Sequence, residues 1–118
     1  MRALRQPTPR DPSPLLGLQV RDWQRFGAGL AHGEGGLDVY VHALEERDRW
    51  QRDLGRMPRG TAVAISRALA VGDRAFSAAT VPDELGLLQR WSWHAGVGSW
   101  WWSRVPAHGP LLDALWRS

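Results

Sequence analysis

Four histidines are the first residues to weigh for chemistry: His32, His42, His94 and His108. None has a histidine four residues away, and no HExxH pattern occurs, so the usual helical zinc spacing is missing. His32 and Glu34 flank Gly33, but two donors without a third do not make a metal site. The chain has no cysteine, which excludes a thiol nucleophile, a disulfide framework and a Cys-ligated metal. Gly27-Ala28-Gly29 begins like a dinucleotide loop, but the next glycine, Gly33, comes one position too late. Without any lysine there is no Walker loop, and no Gly-x-Ser-x-Gly elbow surrounds Ser66, Ser77 or Ser99. The expectation is a protein that is not an enzyme, with no catalytic residues, no cofactor and no metal.

Tryptophan offers a different chemistry. Six of the eight tryptophans lie at Trp91, Trp93, Trp100, Trp101, Trp102 and Trp116, with Arg90 and Arg104 among them. Indoles beside guanidinium groups suit the headgroup zone of a membrane, or a platform for stacked bases. Three consecutive tryptophans cannot all enter one core from a regular helix or strand. Trp93, Trp100, Trp101 and Trp102 therefore read as an exposed aromatic patch, open to self-association or membrane-surface contact. A Trp-rich packing flap is the plainer alternative.

Charge speaks against a polyanion partner. All 15 basic residues are arginine, which explains a calculated pI of 10.9 at a formal charge of only +3. Arg2, Arg5 and Arg10 supply that surplus, and residues 11–118 carry 12 arginines against 12 acids. Direct DNA binding is not expected, and the log–log salt slope for duplex DNA should be no steeper than about −3. Arg, Ala, Gly, Pro and Trp have GC-rich codons, whereas Lys and Asn, both absent, have AT-rich ones. A GC-rich source explains this bias. It also admits the reading that part of the chain translates a spurious or truncated reading frame.

The elements that must position these residues follow from periodicity. No run of 18 apolar residues occurs, and four prolines occupy residues 7–14 where a signal peptide would be apolar, so a cytoplasmic location is expected. Residues 1–14 read as an extended Pro/Arg arm. Leu16, Leu18 and Val20 alternate with Gly17 and Gln19, predicting a short strand over 15–20. Trp23, Phe26 and Leu30 then share a helical face over 21–32, with Gly27 and Gly29 weakening the helix by about 1 kcal/mol each.

Residues 37–54 read most plainly as a long helix, with Leu37, Val41, Leu44, Trp50 and Leu54 inward. Its run Glu45-Glu46-Arg47-Asp48-Arg49 reads as a solvated face with i,i+4 pairs Glu45–Arg49, Asp48–Arg52 and Arg49–Asp53. A helix is favoured over a strand for 61–71. Pro82, Asp83 and Glu84 read as the first turn of another, burying Leu85, Leu88 and Trp91 and failing near Ala95–Gly98. The fold class is mainly α: one short strand, then three to four short helices, with poorly ordered ends. Residues 15–95 form the domain, and 96–118 a Trp-rich tail whose order the sequence leaves open.

Residues 10–34 carry a resemblance. Trp23, Phe26, Ala28, Gly29, Leu30, Gly33 and Glu34 match, position for position, a Trp-x-x-Phe-x-Ala-Gly-Leu-x-x-Gly-Glu pattern that follows an Asp-Pro turn. The segment resembles the closing half of a small actinobacterial family known only as a domain of unknown function and encoded beside helix-turn-helix regulators. Residues 1–9 lack that family's opening half, and the chain runs on for 84 residues beyond Glu34. The resemblance implies a non-enzymatic accessory protein whose partner is a helix-turn-helix transcriptional regulator. Trp23, Phe26 and Leu30 would then be a partner-binding face, or simply core. The alternative is a membrane-surface or nucleic-acid binder acting through the Trp/Arg tail.

Overall fold

A computed structural model describes residues 14–32, 36–91 and 99–117, with side chains from Val20 onward. The expectations for the arm at 1–13, the helix stop at 33–35, Trp93 and the helix end near Ala95–Gly98 lie outside the described residues. The architecture is mainly helical. α1 spans Pro14–Leu30, α2 Leu37–Leu54, α3 Arg59–Ala79 and α4 Pro110–Arg117. A two-stranded antiparallel sheet joins β1, Thr80–Pro82, to β2, Arg104–Pro106, with Val81 opposite Val105.

The strand expected over 15–20 is instead the first turns of α1, and both strands come after α3. The reason is a second periodicity in the same residues. Leu16, Val20, Trp23, Gly27 and Leu30 are spaced by four, three, four and three, which continues one helical stripe across the expected boundary. Pro14 opens the helix where its missing N–H costs no bond. Val20, Trp23 and Leu30 are buried on this stripe.

α1 and α3 run parallel and touch closely. Gln24 Nε2 donates to the Ala68 carbonyl at 2.8 Å, and Gly27 sits against Gly72 and Phe76. A Cβ on Gly27 would stand 3.0 Å from the Gly72 oxygen and from the Phe76 nitrogen; one on Gly72 would overlap the Trp23 indole. The glycines that weaken each helix locally are what let the two backbones approach. α2 returns antiparallel, with Tyr40 against Phe76 and Arg47 against Asp73.

α2 occupies the residues its periodicity predicts. It starts after an extended Gly36, places Asp38 in the first turn and Arg52 in the last, and stops before Gly55. α3 is longer than its expected 61–71. It continues through Gly72 to Ala79, burying Thr61, Ile65, Leu69, Gly72 and Phe76. Its C-terminus is closed by Arg104, which donates to the Thr80 hydroxyl and carbonyl, both at 2.8 Å, and to the Ser77 carbonyl.

The helix expected after Pro82 does not form. β1 is claimed by β2, and Asp83 N–H extends the ladder to the Ser103 carbonyl. The Asp83 carboxylate then accepts the backbone N–H groups of Leu87 and Leu88, and Gly86 turns the chain at φ +68°. A 3₁₀ turn, Gln89–Trp91, follows. Leu88 is fully buried, Trp91 half-buried and Leu85 exposed. The tail is not separate from the domain: Trp101, Trp102, Val105, Leu111 and Leu115 belong to the same core as Trp23, Tyr40 and Phe76.

Candidate functional site

Two adjoining features concentrate the chemistry of this fold. The first is an ionic knot at the centre of the bundle. Arg47, 5% exposed, donates Nε and Nη2 to the two oxygens of Asp73, each at 2.9 Å, and Nη1 to Gln51. Such a two-toothed pair fixes geometry as well as energy. Trp23 Nε1 donates to the same Asp73 at 3.0 Å. Asp48, equally buried, accepts Trp101 Nε1 at 2.8 Å on one oxygen and Trp102 Nε1 at 2.7 Å on the other. The Arg47 guanidinium lies 4.4 Å from the centroid of the Trp101 ring. Among the described residues no buried side-chain nitrogen or oxygen lacks a partner.

The helix 45–49 is therefore not wholly a solvated face. Arg47 and Asp48 turn inward, and Asp48 serves two indoles instead of Arg52. The outward residues do pair: Glu46 holds Arg49 at 3.1 Å and lies 3.6 Å from His42.

Below the knot, Tyr40 closes the aromatic centre. Its ring lies 5.7 Å from Phe26 and 6.1 Å from Phe76, and its hydroxyl donates to the Arg104 carbonyl at 2.7 Å. Burial, and then the charge of Asp83, push the phenol well above its usual range.

The second feature is a cleft. α1 packs chiefly on α3 and only lightly on α2, which leaves about 370 Å³ open between α1 and α2. Its floor is apolar: Trp23, Phe26, Val39, Ala43 and Trp50. Its rim is ionic: Asp22 from α1, and His42, Glu46 and Arg49 from α2. A cleft this size, apolar below and charged above, can take one large apolar side chain or a helical turn.

The expected face divides. Trp23 and Leu30 are core, each 4% exposed, and Leu30 does not line the cleft. Phe26 is only partly buried and does line it. The expected aromatic patch is corrected at two positions: Trp101 and Trp102 are 1% and 4% exposed, with their N–H groups bound to Asp48. The WWW segment is a 3₁₀ turn, whose tight pitch sends two neighbouring indoles inward and leaves Trp100 half in solvent. Trp116 on α4 is also exposed.

Arg47, Asp48, Val39 and Ala43 were not among the sequence candidates. A signal for the two charges exists: the inward stripe Leu37, Val41, Leu44 leads in steps of four and three to Asp48, and Tyr40, Leu44, Leu54 passes through Arg47. Among the described residues no group of three His, Asp or Glu side chains could hold a metal, and no helix is long and apolar enough to cross a membrane. Comparison with protein families, with characterised proteins and with solved structures finds no match.

Proposed function

We propose that this chain is a cytoplasmic, non-enzymatic interaction module that seats an apolar segment of a protein partner in the α1–α2 cleft. The observation that carries this reading is the cleft itself, with Phe26 and Val39 among its apolar lining and Val39 51% exposed. An open apolar floor within an ionic rim is the pattern of a surface that excludes water when a partner helix is laid into it. The resemblance of residues 10–34 supports a helix-turn-helix regulator as that partner, the kind of protein encoded beside members of the family it resembles. The membrane or nucleic-acid reading through the tail loses support, because two of its three consecutive indoles are consumed inside the fold.

The test is calorimetric titration of the full chain with a helix-turn-helix regulator encoded next to it in the source genome. The wild type should form a one-to-one complex. Val39→Glu places a charge on the cleft wall at an exposed site, so it should leave the thermal melt unchanged and weaken binding at least tenfold, about 1.4 kcal/mol. Absence of a complex, or equal binding by the variant, overturns the proposal.

A further inference from the structure

The near-neutral charge of residues 11–118 conceals a segregation that only the fold reveals. α1 and α3 together carry Arg21, Arg25, Arg59, Arg67 and Arg74, all exposed. Their only two acids face elsewhere. Asp22 lines the α1–α2 cleft, and Asp73 is held by Arg47 and Trp23. Among the described residues none of the five arginines is in an ion pair. At 100° per residue Arg59, Arg67 and Arg74 fall within about 80° of one another on α3, spread over about 22 Å of its axis. Val63 and Val71 lie between and beside them, 43% and 47% exposed. Gln24, bonded to the Ala68 carbonyl, marks the seam where α1 adds Arg21 and Arg25 on either side of it in sequence.

We propose, reversing the expectation drawn from net charge alone, that this outer α1–α3 face docks on the phosphate backbone of duplex DNA, a site distinct from the cleft. Charge complementarity carries the assignment. Guanidinium forks bind phosphate oxygens in two-toothed fashion, and a row of unpaired arginines on a rigid helix meets a regularly charged rod. A lipid surface fits less well. Interfacial helices insert Trp, Phe or Leu, and here the large apolar residues of α3 (Ile65, Leu69 and Phe76) are all buried, leaving only valine and alanine of its apolar side chains exposed on α3. The assignment is to phosphate contacts, which hold and orient the duplex without by themselves selecting sequence.

Fluorescence anisotropy of a labelled mixed-sequence duplex with the full chain, at a series of potassium chloride concentrations, tests this. The three arginines of the arm alone would give a log–log slope of about −2.7, whereas the added face should make it steeper than about −4. The triple variant Arg59→Gln/Arg67→Gln/Arg74→Gln should lose about 2 to 3 units of slope and bind at least tenfold more weakly. Arg2→Gln/Arg5→Gln/Arg10→Gln should keep the steeper part. If the triple variant does not fold, as judged by its melt, Arg67→Gln and Arg74→Gln singly should each remove about 0.9 of a unit. The proposal is overturned if the α3 variants bind duplex as the wild type does, or if the arm variant abolishes binding. It is equally overturned if phosphatidylglycerol vesicles capture the chain and duplex does not. A salt-sensitive dimer in light scattering, without duplex binding, would overturn it in favour of a second copy.

Discussion

At the scale of single residues, Tyr40 and Asp48 make opposite kinds of commitment. Tyr40 is the one tyrosine of a chain without lysine or cysteine, so between about pH 9 and 12 no other side chain titrates. Its folded pKa lies above the unfolded value of 10.0, because burial disfavours the phenolate. The neutral form is then favoured by folding. Its contribution is complete below pH 10 and is lost as pH rises beyond it. Stability should fall by about 1.4 kcal/mol per pH unit above 10. Urea melts across this range, followed by tyrosinate absorbance, should show ionisation coincident with unfolding. Tyr40→Phe should flatten the profile, at a cost near neutrality of about 1 kcal/mol for the orphaned Arg104 carbonyl. Asp48 is needed as a double acceptor. Asp48→Asn keeps the shape but offers one oxygen to two indole N–H groups, so it should cost about 2–4 kcal/mol, read from the urea midpoint. Neither role could be read from local sequence, since the partners lie 53, 54 and 64 positions away. The hint was arithmetic: eight indole N–H groups in a small chain need acceptors.

At the scale of elements, legibility tracks how local the stabilising contacts are. α2, whose apolar stripe and flanking glycines are self-contained, was legible to its ends. The start of α1 was not, because two apolar residues apart and four apart both fit Leu16, Leu18 and Val20, and the choice depends on α3 accepting the longer stripe. The 83–91 segment failed for a related reason. A helical first turn and a carboxylate-capped loop use the same Pro-Asp-Glu sequence, and β2, more than 20 residues later, decides between them. For the α1–α3 seam, Gly72→Ala should raise the helix propensity of α3 by about 1 kcal/mol yet still destabilise the protein. The new methyl group meets the Trp23 ring, which is pinned by Asp73 and cannot yield freely. A net loss of about 1–3 kcal/mol is expected from overpacking, measured by chemical denaturation. Gly36→Ala, where nothing crowds the added methyl, should show no such clash.

At the scale of the whole molecule, the Trp-rich tail is a structural member of the core, and this decides how the protein unfolds. Trp101 and Trp102 close the top of the ionic knot, Val105 pairs across the sheet, and Leu111 and Leu115 finish the apolar cluster. A chain whose strong apolar residues are only about a fifth of the total has little core to spare. Removing residues 99–118 would take two buried indoles off the Asp48 carboxylate and open Asp48, Tyr40 and the end of α3 to water. The truncated chain should therefore lose its cooperative transition altogether rather than melt a few degrees lower, since the lost burial of Trp101, Trp102, Val105, Leu111 and Leu115, at about 1.5–3 kcal/mol each, rivals a total stability of about 5–15. In the full chain, far-ultraviolet circular dichroism reports chiefly α1–α3, and tryptophan fluorescence reports the core that Trp101 and Trp102 share with Trp23 and Trp50. The two should give one coincident transition. A tail that melts first, leaving the helical signal intact, would show that the knot does not couple α2 to residues 99–117.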